Sequence, residues 1–427
     1  MKTYYYSKLS SKQVLELTKR PAINFDQTFK IVKPIINDVK SNGLKVAIKY
    51  TKKFDGLKSI NFRVSEKEIR DAKKNLSPKV KRAIDSAFNN ISKFHLKQLP
   101  KSYNVETIKG VSCSREFRAI EDVGLYIPGG SAVLPSTMLM LGIPAQIAQC
   151  ERIVVCSPAK NGKIDNALLY ASYKCGIKEF YKIGGAQAIA LMAYGDKSIP
   201  KVSKIFGPGN QFVTAAKLLV SIDPDGCSID MPAGPSELLI IADKNANPAF
   251  VAADLLSQAE HGIDSHVILV STSVEVGTNV EKEIQIQLKE LPRKNVASGS
   301  LKNSFSLLVG NIEQGIEFSN LYAPEHLILN VKNSAKYKSK IKNAGSVFIG
   351  NYSPESAGDY ASGTNHSLPT YGFAKSFGGV TVESFMKSMT FQSITKKGLK
   401  NISETVNTLA ETEELIAHRN AVKIRVS

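Results

Sequence analysis

Residues 202–220, VSKIFGPGNQFVTAAKLLV, contain the pattern that determines the fold of this chain. The stretch 202–206 is short and largely apolar, which is typical of a buried strand. The glycine-rich turn GPGN follows at 207–210, and a helical pattern covers 209–220. A strand, a tight turn and a helix in this order predict one βα unit of a parallel sheet.

The same pattern recurs on both sides of this stretch. The first set has strands predicted at 123–126, 152–156, 178–183 and 202–206, with helices near 136–149, 165–175, 185–194 and 209–220. The second set has strands predicted at 238–242, 266–270, 305–309, 326–329 and 346–349, with helices near 247–259, 275–290, 311–320 and 335–342. Near-continuous apolar strands that alternate with helices predict parallel sheets.

We therefore predict an α/β fold with two Rossmann-like parallel-sheet domains. Residues 1–120 are interpreted as a mostly helical region that packs on the α/β domains, and residues 121–235 as the first α/β domain. Residues 236–381 are interpreted as the second α/β domain, and residues 382–427 as a helical C-terminal segment.

The charge of the chain is concentrated at one end. The 427 residues carry a formal net charge of +18, which first suggests nucleic acid or an anionic membrane surface as a partner. Residues 1–110 hold 25 lysines and arginines against 9 aspartates and glutamates, a net +16, and the remainder carries only +2. No nucleic-acid-binding signature accompanies the basic segment. A solvated, lysine-rich helical surface is therefore the favoured interpretation, with no specific nucleic acid partner.

Other bulk features indicate a cytoplasmic protein. The five cysteines are odd in number and include no Cys-x-x-Cys pair, which fits a reducing compartment. No secretory signal is visible at the N-terminus. Residues 123–150 carry no charge, but three prolines and four glycines argue against a membrane span there.

Three glycine-rich turns each follow a predicted strand and precede a predicted helix. They are YIPGG at 126–130, GGAQ at 184–187 and FGPGN at 206–210. Backbone N–H groups at such turns can approach a phosphate group. None of the turns matches Gly-x-Gly-x-x-Gly, so spacing alone leaves both ordinary βα turns and a cofactor site open.

Several polar residues are candidates for metal binding or proton transfer. Gln258 and His261 are three residues apart at a predicted helix end and share a face. Glu325 and His326 precede an apolar strand, where both reach one site only if the backbone turns at the strand's start. For each pair alone, a structural role is the more common explanation.

The stretch 351–370, NYSPESAGDYASGTNHSLPT, is predicted to be a long polar loop. Such loops in compact domains are usually functional, and Asp359 and His366 are the candidate ligands or bases within it. A solvated loop is an equally good explanation. The remaining histidines His95 and His266 have contexts that favour structural roles.

Residue type alone thus indicates a site of histidine, aspartate and glutamine ligands. Mixed nitrogen and oxygen ligands suit Zn²⁺ or another divalent transition metal. They do not identify the reaction.

At these motifs the sequence resembles the histidinol dehydrogenase family. The matching runs are 123–130, 206–210, DMPAGPSE at 230–237, DLLSQAEHG at 254–262, APEHL at 323–327 and SPESAGDYASGTNHSLPT at 353–370. The resemblance implies NAD-dependent oxidation of L-histidinol to L-histidine, the last step of histidine biosynthesis. It implies a bound aldehyde intermediate, one Zn²⁺ per subunit, and a homodimer whose active sites draw on both chains.

The resemblance also assigns roles to residues. The implied zinc ligands are Gln258, His261, Asp359 and His418, and the implied catalytic pair is Glu325 and His326. The implied NAD contacts, in the first α/β domain, are Tyr126, Gln187 and Asn210. The implied substrate contacts are Ser236, Glu413, His326 and the four zinc ligands.

Two points stay open at this stage. Glu414 is better placed than Glu413 to share a helical face with His418, but the family places its glutamate two residues before the leucine matched by Leu415. A zinc hydrolase with structural glycine turns is the alternative function, because a Glu-His pair beside a metal can activate water. Protection of the protein by NAD⁺ discriminates the two.

Overall fold

Two parallel β-sheets and one antiparallel sheet organise the chain. The computed structural model describes residues 1–20, 25–56, 61–129, 133–232 and 234–427. Within these ranges the strands are β1 (Lys2–Tyr5), β2 (Tyr103–Ile108), β3 (Val111–Ala119), β4 (Asp122–Tyr126), β5 (Arg152–Cys156), β6 (Glu179–Tyr181), β7 (Lys204–Phe206), β8 (Ser228–Ile229), β9 (Glu237–Ala242), β10 (His266–Ser271), β11 (Phe305–Leu308), β12 (His326–Asn330), β13 (Ser346–Ile349) and β14 (Met386–Ile394).

Helices connect and cover these strands. In the same ranges the α-helices are α1 (Ser11–Leu17), α2 (Phe25–Asp55), α3 (Glu66–Asn75), α4 (Pro78–His95), α5 (Pro135–Ile147), α6 (Asn166–Lys174), α7 (Gly185–Tyr194), α8 (Gln211–Ser221), α9 (Pro248–Ala259), α10 (Val274–Leu288), α11 (Lys294–Asn303), α12 (Ile312–Tyr322), α13 (Glu355–Tyr360), α14 (Lys396–Thr412) and α15 (Ile416–Val426). Short 3₁₀ helices lie at Tyr6–Lys8, Leu96–Gln98, Ser334–Lys340, Phe373–Lys375 and Glu383–Phe385.

The first parallel sheet has the strand order β6-β5-β4-β7-β8. Strands β4 and β7 lie side by side, although β5 and β6 separate them along the chain, so the strand order reverses at β4. Their carboxyl ends meet, with Leu125 opposite Phe206. In open α/β sheets this reversal point is where ligands bind, and two of the three glycine-rich turns begin there.

The second parallel sheet has the order β1-β11-β10-β9-β12-β13. Its strand order reverses between β9 and β12, where His326 lies opposite Leu238. The predicted α/β fold with two parallel sheets is therefore confirmed. Strand β1 was not predicted, because its partner β11 lies 300 residues away and the local pattern carries no signal for that pairing.

The N-terminal helices form an outer layer on the first sheet. Helix α2 packs on α7 and α8, whereas α3 and α4 pack on α5 and α6. Buried apolar residues of α2 such as Val32 and Val39 face this core, and its lysines Lys30, Lys33 and Lys40 face solvent. This placement supports the interpretation of the basic segment as a solvated surface.

The helical predictions for both ends of the chain are wrong in part. Residues 103–119 form β2 and β3, and residues 386–394 form β14, which pairs with β3 from Met386–Ala119 to Ile394–Val111. Strand β14 is exposed along nearly its whole length, so it shows no buried apolar face to separate it from a helix. Tertiary pairing determines its conformation.

Three smaller differences concern the second α/β set. The helix predicted at 335–342 is the 3₁₀ helix Ser334–Lys340, and helix α11 was not predicted. The polar stretch 351–370 is not entirely a loop, because it contains α13. In the described parts of the chain, no helix has the length and apolar character needed to cross a membrane.

Candidate active site

A cavity of about 550 Å³ lies where the two parallel sheets meet. The first sheet contributes residues that follow the carboxyl ends of β4 and β7, including Pro128 and Asn210. The second sheet contributes residues at the amino ends of β9 and β12, including Ser236 and His326. The expectation that ligands sit at carboxyl strand ends thus holds for the first sheet and is wrong for the second.

Glu325 and His326 reach the cavity together because the chain turns sharply before β12. Ala323 ends α12 in the left-handed conformation with φ 54°, and Pro324 follows it. The carboxylate of Glu325 and the imidazole of His326 are both buried, and both line the cavity. Glu325 Oε2 accepts a hydrogen bond from the Glu237 backbone N–H at 2.9 Å and lies 3.6 Å from His326 Nδ1.

A buried ion pair between Arg20 and Glu237 stabilises this arrangement. Arg20 contacts Glu237 with two hydrogen bonds of 2.9 and 2.7 Å, and its guanidinium lies 3.5 Å from the centre of the Tyr322 ring. The backbone of Glu237 in turn contacts the Glu325–His326 pair, since its carbonyl oxygen is 3.3 Å from His326 Nδ1. The N-terminal region therefore fixes the start of β9 against the site.

Carboxylates surround His326 and control its charge. Burial disfavours the imidazolium, but the negative charges of Glu355, Glu325 and Asp359 outweigh burial and raise the pKa of His326 to about 10. Burial raises the pKa of Glu325 to about 8. A divalent cation bound among these groups would offset their charge and would lower the pKa of the imidazole.

The donor set beside His326 fits a divalent metal. His261, Glu355 and Asp359 offer ligand atoms that all lie within 4.8 Å of one another. Asp359 Oδ1 is buried without a hydrogen-bond partner in the described part of the chain. His326 Nε2 lies 3.7 Å from this oxygen, within ion-pair distance but too far for a hydrogen bond, and a bound cation would satisfy the oxygen directly. Imidazole with carboxylate and amide oxygen suits Zn²⁺.

Gln258 is fully buried at the end of α9, where its amide has one preferred orientation. With its nitrogen towards Glu355, the amide donates a hydrogen bond to Oε2 at 3.0 Å. This orientation leaves the amide oxygen free to bind a cation together with His261. Glu355 therefore fixes which atom of Gln258 is available.

Glu355 is the functional residue that the sequence reasoning missed. It is buried to 1% exposure, and it lies four residues before Asp359 on α13. Spacing of i, i+4 places two side chains on one face of a helix. The i, i+4 spacing of Glu355 and Asp359 can be seen in the sequence. It was missed because residues 351–370 were predicted to be a loop, where this spacing has no meaning.

Replacing Glu355 with alanine is expected to weaken zinc binding about 10- to 100-fold, because the Gln258 amide loses the acceptor that orients it. Zinc retained after dialysis against graded chelator measures this effect. Glu317, an exposed glutamate on α12, provides the matched control Glu317→Ala. Equal zinc retention in the two variants contradicts the assignment.

His366 also enters this cavity, as a structural partner of the cluster. Its Nδ1 lies 3.0 Å from the Asp359 carbonyl oxygen, and its Nε2 lies 3.2 Å from Thr137 Oγ1. Both nitrogens are therefore occupied. The His366 ring therefore links Asp359 of α13 to Thr137 of α5 through these two contacts.

A second cavity, of about 600 Å³, adjoins the first. It contains Tyr126, Gln187 and Asn210, one from each glycine-rich turn, and it shares Asn210 and Phe212 with the first cavity. The Asn210 oxygen caps α8 by accepting from the N–H groups of Phe212 and Val213, both at 3.1 Å. Its amide nitrogen remains available to a ligand.

Close backbone approach explains the glycines around this second cavity. A Cβ atom at Gly129 or Gly184 would lie 2.3 or 2.5 Å from the ring of Pro158. Helix α7 starts at Gly185 without a side-chain cap from Gly184, and Gly185 N–H donates a hydrogen bond to the Tyr126 hydroxyl at 3.1 Å. The N–H groups that follow in the first turn can contact an anion. Gly130 lies outside the described residues, as does Ala233 of the 230–237 run.

Two predicted site residues do not join either cavity. Glu413 and His418 are exposed on the C-terminal arm, which we define as residues 386–427, and neither lines the cavities. Helices α14 and α15 of this arm pack against each other. Within one chain, the cluster therefore has Gln258, His261 and Asp359 but lacks the predicted fourth ligand.

Comparisons with known proteins agree with one another. The family model "Histidinol dehydrogenase" matches residues 18–426. The chloroplastic histidinol dehydrogenase of Arabidopsis thaliana is 52% identical over 100% of this chain and 91% of its own length. The histidine biosynthesis trifunctional protein of Komagataella pastoris is 51% identical over 98% of this chain, which spans 50% of that longer protein. The crystal structure of histidinol dehydrogenase from Elizabethkingia anophelis has a TM-score of 0.95 at 50% identity, covering 100% of this chain and 98% of that one.

Proposed function

The chain belongs to the histidinol dehydrogenase family, and we propose that it oxidises L-histidinol to L-histidine in two NAD-dependent steps. The membership confirms the resemblance seen in the sequence and makes the protein an oxidoreductase of histidine biosynthesis. The observation that carries the proposal is the buried Glu325–His326 pair, which lies beside a metal-type donor set in a cavity that adjoins the glycine-rich one.

His326 is the proton acceptor in this proposal. Its Nε2 makes no hydrogen bond among the described residues and lies 3.7 Å from Asp359 Oδ1. A cation bound to Asp359 would favour the neutral imidazole, whose Nε2 can then take the substrate hydroxyl proton. Bound NAD⁺ would supply the hydride acceptor for each oxidation, and the residues of this chain would supply orientation and proton transfers. His326 passes the first proton to solvent before the second step. Glu325 then takes one proton of the water that adds to the aldehyde, and His326 takes the other as the second hydride is transferred. An aldehyde that stays bound between the two oxidations would be protected from side reactions.

Zinc, one ion per subunit, is the metal we propose for the donor set. Gln258, His261 and Asp359 would hold it from this chain, and the unpaired Asp359 oxygen supports this assignment. When bound, the ion positions the imidazole and amine of the substrate. Ser236, which lines the same cavity, is placed to contact the substrate.

A homodimer with shared active sites explains the position of the C-terminal arm. The arm exposes large apolar side chains, which a single chain would present to solvent: Met389, Phe391, Ile394, Leu409, Leu415, Ile416 and Ile424. Contiguous exposed apolar surface favours a protein interface. His418 would then complete the zinc site of the partner subunit, and Glu413 would contact the substrate there. The five cysteines are free thiols, which supports a cytoplasmic enzyme.

Incubating the purified protein with L-histidinol, NAD⁺ and Zn²⁺ is expected to produce L-histidine, which amino-acid chromatography detects. L-Phenylalaninol, an amino alcohol without an imidazole, is the matched control and should yield almost no NADH. NAD⁺ should also raise the melting temperature of the protein. Failure to form histidine, with no thermal protection by NAD⁺, would instead favour the hydrolase alternative.

A further inference from the structure

We propose that Asp55 binds the adenine-ribose 2′-hydroxyl of NAD⁺ and excludes the 2′-phosphate of NADP⁺. The inference rests on the proposed function and deepens it, because it names the residue that selects the dinucleotide. Asp55 is the last residue of α2, and it lines the 600 Å³ cavity together with Tyr126 and Gln187.

The Asp55 carboxylate has an unpaired buried oxygen. Its Oδ2 atom has no hydrogen-bond partner in the described parts of the chain, and burial raises the pKa of this carboxyl group. The charge of Asp55 also helps raise the pKa of Tyr126, so the two side chains are close to each other. An acceptor of this kind costs stability unless a ligand donates a hydrogen bond to it.

The position of Asp55 identifies which part of the dinucleotide it meets. The nicotinamide must lie near His326, at the wall that both cavities share through Asn210 and Phe212. Asp55 lines only the second cavity, so it faces the other half of the dinucleotide. Ile31 and Phe54, which are 50% and 54% exposed, provide apolar surface there for an adenine ring.

The charges in this cavity favour a hydroxyl over a phosphate beside Asp55. Among the described lining residues, Lys160 has the single cationic side chain, and the pyrophosphate of either dinucleotide competes for it. A 2′-phosphate would place a further dianion next to the half-buried Asp55 carboxylate, and like charges repel in a partly desolvated site. A ribose hydroxyl donates to the carboxylate, as an acidic residue does in dinucleotide-binding sheets.

Equilibrium binding to the zinc-loaded full-length protein tests the proposal. Isothermal titration would compare NAD⁺, 2′-deoxy-NAD⁺ and NADP⁺ on wild type, Asp55→Ala and Asp55→Asn. Asp26→Asn is the control, because it removes an exposed carboxylate of the same helix that does not line the cavity. Thermal melting of each variant checks its folding.

Asp55→Ala should bind NAD⁺ about tenfold or more weakly, the usual cost of losing a hydrogen bond to a charged group. Removing the 2′-hydroxyl should weaken binding to wild type about equally and should not affect Asp55→Ala. Asp55→Asn should raise the NADP⁺/NAD⁺ ratio of kcat/KM about tenfold.

Two results overturn the proposal: unchanged NAD⁺ binding in folded Asp55→Ala, or the same loss on removal of the 2′-hydroxyl in wild type and variant. Neither result would contradict the proposed function, because that function is tested by whether the wild-type protein forms histidine with NAD⁺. Conversely, a wild-type protein that binds NAD⁺ but forms no histidine refutes the function while leaving the role of Asp55 measurable.

Discussion

Replacing His326 with asparagine should lower kcat about 10²- to 10⁴-fold, the contribution that a positioned general base makes. Asparagine cannot accept the hydroxyl proton, but it keeps a similar size in a pocket where His326 is only 3% exposed. The zinc content should stay near that of wild type, because the proposed ligands are Gln258, His261 and Asp359. Steady-state kinetics and metal analysis of the same preparation measure both effects.

His366→Asn is the matched control for this variant. His366 lines the same cavity, but its two nitrogens contact Asp359 and Thr137, so it has no free atom for the substrate. Replacing His366 should reduce kcat far less than replacing His326 does. Zinc loss from His326→Asn would show that His326 is a metal ligand and that the assignment of the base is wrong.

Replacing His418 with alanine should remove most of the zinc and nearly all of the activity, although His418 is exposed and distant from the cluster within its own chain. The reason is that in the proposed dimer the partner subunit would take its fourth zinc ligand from this residue. A three-ligand site holds zinc less tightly and positions the substrate less well.

Complementation between two inactive variants separates a shared site from a structural effect. A heterodimer of His326→Asn and His418→Ala, isolated with two affinity tags, contains one site with both defects and one site with neither. By the twofold symmetry of the dimer, its activity should be about half that of wild type. If each site were built from a single chain, both sites would be defective and the heterodimer would be inactive.

Hydrophobic patterning is sufficient for the central strands of the two parallel sheets, such as β4, β9, β10 and β12, because these strands are buried. Residues 238–242, for example, are fully buried in β9 and form a continuous apolar run. The same reasoning fails for β14, whose residues are exposed, and for β1, whose partner is distant in sequence. The local sequence of a strand does not indicate which distant strand it pairs with.

The candidate site could likewise be predicted from the sequence only in part. Glycine turns at strand ends and the dipeptide Glu325–His326 indicate where chemistry is possible, but the roles of single residues came from family resemblance. Glu355, Asp55 and the Arg20–Glu237 ion pair depend on contacts between distant segments. Only the folded chain shows these contacts. The one local signal among these residues is the i, i+4 spacing of Glu355 and Asp359, which indicates a shared helical face but not its partners.

The ratio of NADH formed to L-histidinol consumed, with and without a zinc chelator, tests the proposed chemistry most directly. Two successive oxidations by one site predict two NADH per L-histidinol, no released aldehyde, and loss of NADH formation when zinc is removed. Restoring Zn²⁺ should restore the rate. A ratio of one, or a rate that the chelator leaves unchanged, would contradict a zinc-dependent four-electron oxidation by this protein.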